Sequence, residues 1–202
     1  MNITNSEYFT FNVDSSLLLV GQTGTGKSVL EDKYIERLLK SYKPDKLQFI
    51  LLDMTGVDFY QLRDSHKEYI KEDVQFDSDK GLDVLEVTAQ LAEDRAASNT
   101  KEPLIVLLIE ECDMAAVDQE HFDSLLIRIN EVASSANMKV IYSTSRPAPD
   151  VVSRRLLESF DLILAGTLVE SDYKNLGINK PENHPKYDFV VTQKNQNLLF
   201  NN

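Results

Sequence analysis

The segment Gly21-Gln22-Thr23-Gly24-Thr25-Gly26-Lys27-Ser28 fills every fixed position of the phosphate-binding loop pattern G-x-x-x-x-G-K-[ST], and that pattern dictates its own flanks. A buried strand must lead in and a helix must lead out. Leu17 to Val20 supplies the apolar lead-in. Val29, Leu30, Tyr34, Ile35, Leu38 and Leu39 then recur at helical spacing, predicting a helix over Ser28 to Tyr42. The residue types suit the chemistry. Glycines let successive backbone N–H groups turn inward on phosphate oxygens, Lys27 adds a point charge near the β- and γ-phosphates, and Ser28 offers a hydroxyl to Mg2+. Gly21, Gln22, Thr23, Gly24, Thr25, Gly26, Lys27, Ser28 and Val29 are the expected cradle of a magnesium-bound nucleoside triphosphate.

Apolar runs rich in Leu, Ile and Val recur at Ser16 to Val20, Leu47 to Asp53, Leu104 to Glu110, Lys139 to Thr144 and Asp161 to Ala165, and such continuous runs are the signature of buried parallel strands. Helical patterns alternate with them: Leu82 to Ala97, a periodic set at Phe122, Leu125, Leu126, Ile129, Val132, Ala133 and Ala136, and a short candidate over Asp150 to Phe160. Alternating strand and helix predicts an α/β fold with a mostly parallel central sheet flanked by helices. Tyr187 to Thr192 is expected as a last, antiparallel edge strand. Lys67 to Lys80, charged and weakly periodic, is expected as a surface excursion, and Asn179 to Lys186 as a loop.

A chain of 202 residues suits a single domain, with residues 1–14 as an N-terminal edge strand or arm, in which Phe9, Phe11 and Val13 alternate, and residues 179–202 as a C-terminal strand and tail. The first residues lack the basic and apolar regions of a signal peptide, and the aliphatic stretch Leu104 to Ile109 is too short to cross a bilayer. A cytoplasmic location without a membrane segment is expected. The single cysteine, Cys112, cannot close an internal disulfide. With 33 acidic against 21 basic residues the net charge is −12, which disfavours nonspecific binding to a phosphate backbone unless cations are locally concentrated.

Triphosphate hydrolysis also needs an acid near Mg2+ and a group that positions water, usually at the end of a buried strand beside the phosphate loop. Leu104 to Glu111 ends in two carboxylates. Glu110 is the expected metal-shell residue together with Ser28, and Glu111 the expected base or water-orienting residue. A later strand, Ile141-Tyr142-Ser143-Thr144-Ser145-Arg146-Pro147, ends in polar residues where Thr144 or Ser145 would report the γ-phosphate. His66, His121 and His184 lack metal-ligand spacing, and Ser143, Ser145 and Ser153 lack a G-x-S-x-G elbow.

Taken together, Gly21 to Ser28, Ile109-Glu110-Glu111, and Ser143 to Pro147 with Asp150 resemble, in order, the motifs of the FtsK/SpoIIIE motor domains. These are RecA-like P-loop ATPases that pump double-stranded DNA through a ring. The resemblance implies an ATP-hydrolysing domain that assembles as a homo-oligomer, a hexameric ring, with ATP at subunit interfaces and double-stranded DNA as cargo. It also makes Arg95, in Leu91-Ala92-Glu93-Asp94-Arg95, a candidate arginine finger reaching a neighbour's ATP, against the alternative of an exposed helix-end arginine paired with Glu93 or Asp94. Arg146, Arg154 and Arg155 compete for that role.

Several positions depart from the family pattern. Glu110 stands where Asp is usual, Ser145 where the family has a sensor glutamine, and Asp53-Met54-Thr55 where it has D-P-K. The segments matching the DNA-touching pore loops, Ala96 to Glu102 and Met114 to Gln119, hold one lysine, Lys101, and no arginine; Arg128, Arg154 and Arg155 are the other cations available to a DNA path. Two alternatives follow: a module resembling type VII secretion ATPases that act on protein, and a degenerate domain that binds nucleotide for assembly only.

Overall fold

Continuous apolar runs become strands covered on both faces, and that is how the sheet of this protein is built. The computed structural model describes residues 16–111, 118–181, 188–193 and 196–198. The strands are β1 (Ser16–Val20), β2 (Leu47–Asp53), β3 (Ile70–Gln75), β4 (Leu104–Glu110), β5 (Met138–Thr144), β6 (Leu162–Ala165), β7 (Val190–Gln193) and β8 (Gln196–Leu198). They form one sheet in the order β3-β2-β4-β5-β1-β6-β7-β8. The pairs from β3 to β6 are parallel and the last two antiparallel. The α/β reading of the sequence is thus the observed architecture.

Within β1, alternation divides the core. Leu17 and Leu19 pack on one face with Ile35 and Leu38 of α1 (Lys27–Ser41), while Leu18 and Val20 pack on the other. That second face is covered by Leu85, Ala89 and Ala92 of α3 (Ser78–Ser98), by Phe122, Leu126 and Ile129 of α4 (Gln119–Val132), and by Leu156 and Leu157 of α5 (Arg154–Ser159). Two short helices, α2 (Tyr60–Ser65) and α6 (Glu170–Asn175), complete the described set. Helix starts follow capping chemistry: the Asp77 and Asp118 side chains accept the backbone N–H groups of Lys80 and His121, each at 3.0 Å.

The charged stretch expected as a surface excursion holds β3 instead, a parallel edge strand. Of its residues only Val74 is fully buried, so one covered face suffices and Lys71 and Glu72 stay in water. The helix over α1 appears as expected, but Val29 is 55% exposed rather than packed. Residues 1–14 with the expected arm, Cys112, His184 and most of the loop at 179–186 lie outside the described residues. Among those described, no helix is long and apolar enough to cross a membrane.

Register decides what meets at the carboxyl ends of the strands. Val20 lies beside Thr144, Ser143 beside Glu110, and Glu110 beside Asp53. The residues that leave these four strands therefore converge on one edge of the sheet, and this edge carries the candidate site.

Candidate functional site

The loop after β1 is shaped by two glycines with left-handed backbones, Gly24 at φ 81° and Gly26 at φ 101°. A side chain would be strained at either position, and the turn they permit points main-chain N–H groups toward one centre. The loop is tied at both sides. Gly21 N–H donates to Thr144 O at 3.3 Å and Gln22 N–H to Thr167 O at 3.0 Å, so it hangs between the exits of β5 and β6. Helix α1 begins at Lys27.

Lys27 is 6% exposed, and its Nζ donates to Gly21 O at 2.9 Å and faces Glu111 Oε1 at 3.4 Å. Glu111 follows β4 with a left-handed backbone, φ 44°, while its N–H still donates to Ser143 O at 2.9 Å. Its other carboxylate oxygen accepts the Ser145 N–H at 2.9 Å and the Ser145 hydroxyl at 3.0 Å. A carboxylate gripped on one oxygen and facing a lysine on the other has a fixed aim. Of the two γ-phosphate reporter candidates, Ser145 is thus the one joined to Glu111. Thr144 is buried, and its hydroxyl oxygen accepts the Arg146 N–H at 3.2 Å.

Glu110 is 2% exposed, and its Oε2 has no hydrogen-bond partner. Burial, with the charges of Asp58 and Glu111 adding to it, pushes its carboxyl up to about 7. Behind it stands Glu31, one turn after Lys27 on the inward stripe with Ile35 and Leu38. It is 4% exposed with Oε1 unpartnered, and burial, then Glu110 and Asp58, hold its carboxyl well above the usual range. Asp58, on the loop after β2, completes the wall: its Oδ1 lies 3.5 Å from Ser28 Oγ. Lys27, Ser28, Val29, Asp58, Glu110 and Glu111 share a cleft of about 500 Å³ with the glycines of the loop.

These groups fit Mg2+, a hard cation that takes oxygen ligands and usually arrives with phosphate and water. A hydroxyl and a buried carboxylate with an unpartnered oxygen are suitable donors. Among the described residues no three His, Cys, Asp or Glu side chains could hold a metal by themselves, which suits an ion whose remaining ligands come with the nucleotide.

Arg95 requires a correction. It is 6% exposed, and its guanidinium donates to three backbone carbonyls, those of Ala136 at 2.9 Å, Glu102 at 3.4 Å and Pro103 at 2.6 Å. These carbonyls lie at the amino ends of β4 and β5, opposite the nucleotide edge, so neither the finger nor the exposed helix-end alternative describes it. Glu93 pairs instead with Arg128, at 2.8 Å. Among the rival arginines, Arg154 pairs with Glu158 at 2.6 Å, Arg155 lines a separate hollow with Ser134 and Asp161, and Arg146, which pairs with Asp150, leaves β5 at the site's own end.

Asp58 and Glu31 were not legible as site residues. Glu31 did carry a signal, a carboxylate at helical spacing between Lys27 and the apolar Ile35 and Leu38. Asp58 carried none, since only the folded loop brings it to Ser28.

The FtsK/SpoIIIE family model matches residues 2–101, which include the phosphate loop and stop short of the Glu110–Glu111 strand end. Curated relatives extend the match. DNA translocase FtsK of Streptococcus pyogenes serotype M1 is 27% identical over 176 aligned residues, covering 74% of this chain and 22% of the relative. That of Lactiplantibacillus plantarum is 25% identical over 162, covering 68% and 20%. The chain thus spans about a fifth of the length of these relatives. Among solved structures, EssC (ATPases 2 and 3) from Geobacillus thermodenitrificans aligns with a TM-score of 0.72 at 15% identity, over 90% of this chain and 38% of that one. The genome packaging NTPase B204 of Sulfolobus turreted icosahedral virus 2, in complex with ATP-gammaS, gives 0.62 at 21% identity, over 94% and 97%. With the sheet order, the phosphate loop and these likenesses in agreement, the chain has the P-loop ATPase fold and resembles the FtsK/SpoIIIE domains.

Proposed function

We propose that this domain binds MgATP at the carboxyl edge of its sheet and hydrolyses it, as one subunit of a ring that moves double-stranded DNA. The observation that carries the hydrolytic part is the meeting of Glu111 with Lys27 at 3.4 Å, while Ser145 fixes the same carboxylate. Loop amides and Lys27 take the β- and γ-phosphates. Glu111 orients a water and receives its proton as the water oxygen attacks the γ-phosphorus and the bond to the β-phosphate oxygen breaks, giving ADP and phosphate. Ser28 and Glu110 are the residues that would hold Mg2+, which supplies charge neutralisation on the phosphates. Arg146, at the site's own end of the sheet, is the arginine best placed to face a neighbour's nucleotide.

DNA as cargo is supported by the curated relatives, which are DNA translocases. Protein cargo is the alternative, favoured by the engagement of three of the four cations that would grip a backbone: Lys101 donates to Ser135 O at 2.7 Å, and Arg128 and Arg154 pair with Glu93 and Glu158. ATPase rates measured with and without duplex DNA across a salt titration decide between them. Salt-sensitive stimulation supports DNA, and a flat response overturns it. Steady turnover with Mg2+ would itself exclude a domain that binds nucleotide for assembly only.

A further inference from the structure

The loop from Asp53 to Asp58 is held in place far more firmly than its surface position requires. Asp53 is 0% exposed; its Oδ2 accepts the Asp58 N–H at 3.1 Å and Arg63 Nη1 at 2.9 Å, while its Oδ1 accepts the Thr55 hydroxyl at 2.7 Å. Arg63 is gripped on its other side by Asp73 at 2.8 Å and also reaches the Asp58 carbonyl. The same Thr55 hydroxyl lies 3.0 Å from Asp58 Oδ2, which competes with Asp53 for its one proton. What this frame leaves turned toward the nucleotide loop is Asp58 Oδ1.

Its separation from Ser28 Oγ, 3.5 Å, lies beyond the roughly 2.5–3.0 Å of a good O–H···O bond. The hydroxyl therefore gives the carboxylate only a long, weak bond. The two oxygens stand near the roughly 3 Å spacing of adjacent oxygens around an octahedral cation with bonds of about 2.0–2.1 Å. A second, independent feature points the same way. Glu110, 98% buried by its exposure of 2%, lines the same cleft with Oε2 unpartnered, and Glu31 stands behind it. The charge of Asp58 bears on both. Against these acceptors the cleft sets one lysine, Lys27, already facing Gly21 O and Glu111.

We propose that Asp58 is a second acidic arm of the cation site at Ser28 and makes nucleotide uptake conditional on a divalent cation. A bare triphosphate meets the Asp58 charge as repulsion, whereas a triphosphate carrying a divalent cation meets it as attraction. The proposal rests on the MgATP site described above and adds a residue from β2's loop to it.

The test is calorimetric binding of ATPγS to the full chain in Mg2+ and in EDTA, for wild type and Asp58→Asn, with Mn2+ spin-resonance titration of the ATPγS complex as a direct readout of the cation. Asp58→Asn is expected to weaken binding about tenfold in Mg2+ and to strengthen it severalfold in EDTA, as loss of one nearby charge requires. Mn2+ affinity falls with it. Equal changes in Mg2+ and EDTA, or none in either, overturn the proposal and leave the MgATP site standing. No uptake of ATPγS by folded wild type in Mg2+ overturns both. Asp58→Ser repeats the comparison should the Asn variant fail to fold.

Discussion

The Lys27 ammonium lies 3.4 Å from the Glu111 carboxylate, although β5 separates the strands that deliver these two residues. A phosphate that takes over Lys27 leaves Glu111 beside it, still held by Ser145. Lys27→Ala is expected to abolish MgATP binding or turnover. Glu111→Gln is expected to keep binding and lower turnover by about 10² to 10⁴, the range of a lost general base. Calorimetry paired with phosphate release separates the two effects, and equal ATPase rates for wild type and Glu111→Gln remove Glu111 from the mechanism.

Ser145 holds Glu111 twice, through its backbone N–H and its hydroxyl. Ser145→Ala removes only the second contact. The expected outcome is a fall in kcat of about tenfold with KM nearly unchanged, matching one hydrogen bond to a charged group. A change confined to KM would place Ser145 in binding instead.

Glu110 makes stability depend on pH in a defined direction. Its carboxyl sits at about 7 in the folded protein against an ordinary 4.5, so between those values the folded state binds more protons than the unfolded one. The contribution of Glu110 to stability then rises as pH falls from about 7 toward 4.5, by on the order of 3 kcal/mol, and the burden of its buried charge is fully present above 7. Melting temperatures of the nucleotide-free protein should therefore be several degrees higher at pH 5.5 than at pH 8. Glu110→Gln should show a shallower slope, with Glu31 contributing the rest. An identical slope in the variant would place the effect elsewhere.

Arg95 predicts loss of stability rather than loss of a finger. Arg95→Met leaves the carbonyls of Ala136, Glu102 and Pro103 without their buried donor. A penalty of about 2–4 kcal/mol is expected, lowering the melting temperature by about 4 °C or more. Folded protein below that temperature should bind ATPγS as wild type does. In mixtures of wild-type and variant subunits, turnover that falls faster than the variant fraction rises would restore a role in trans.

The fold was legible because its strands are apolar on both faces, as in Leu17 to Val20 and Leu104 to Ile109, and because the phosphate loop fixes strand, turn and helix in order. β3 escaped detection because an edge strand needs only one buried face, supplied mainly by Val74 amid charged neighbours. The site divided in the same manner. Local motifs gave Lys27, Ser28, Glu110 and Glu111. Asp58 belongs to a loop whose shape comes from Arg63 bridging Asp53 and Asp73, a relation across three segments that no short pattern encodes. Arg95 was misread because a helix-end arginine looks the same in sequence whether it points to solvent or caps the carbonyls of neighbouring strands.

The grip of Ser145 on Glu111 ties that carboxylate to the chain that leaves β5. Ser145 is the first residue of the segment that leaves β5 for Arg146 and α5, so a displacement of that segment would be felt at the Glu111 carboxylate as well as at the phosphate loop, which is tied to the neighbouring Thr144.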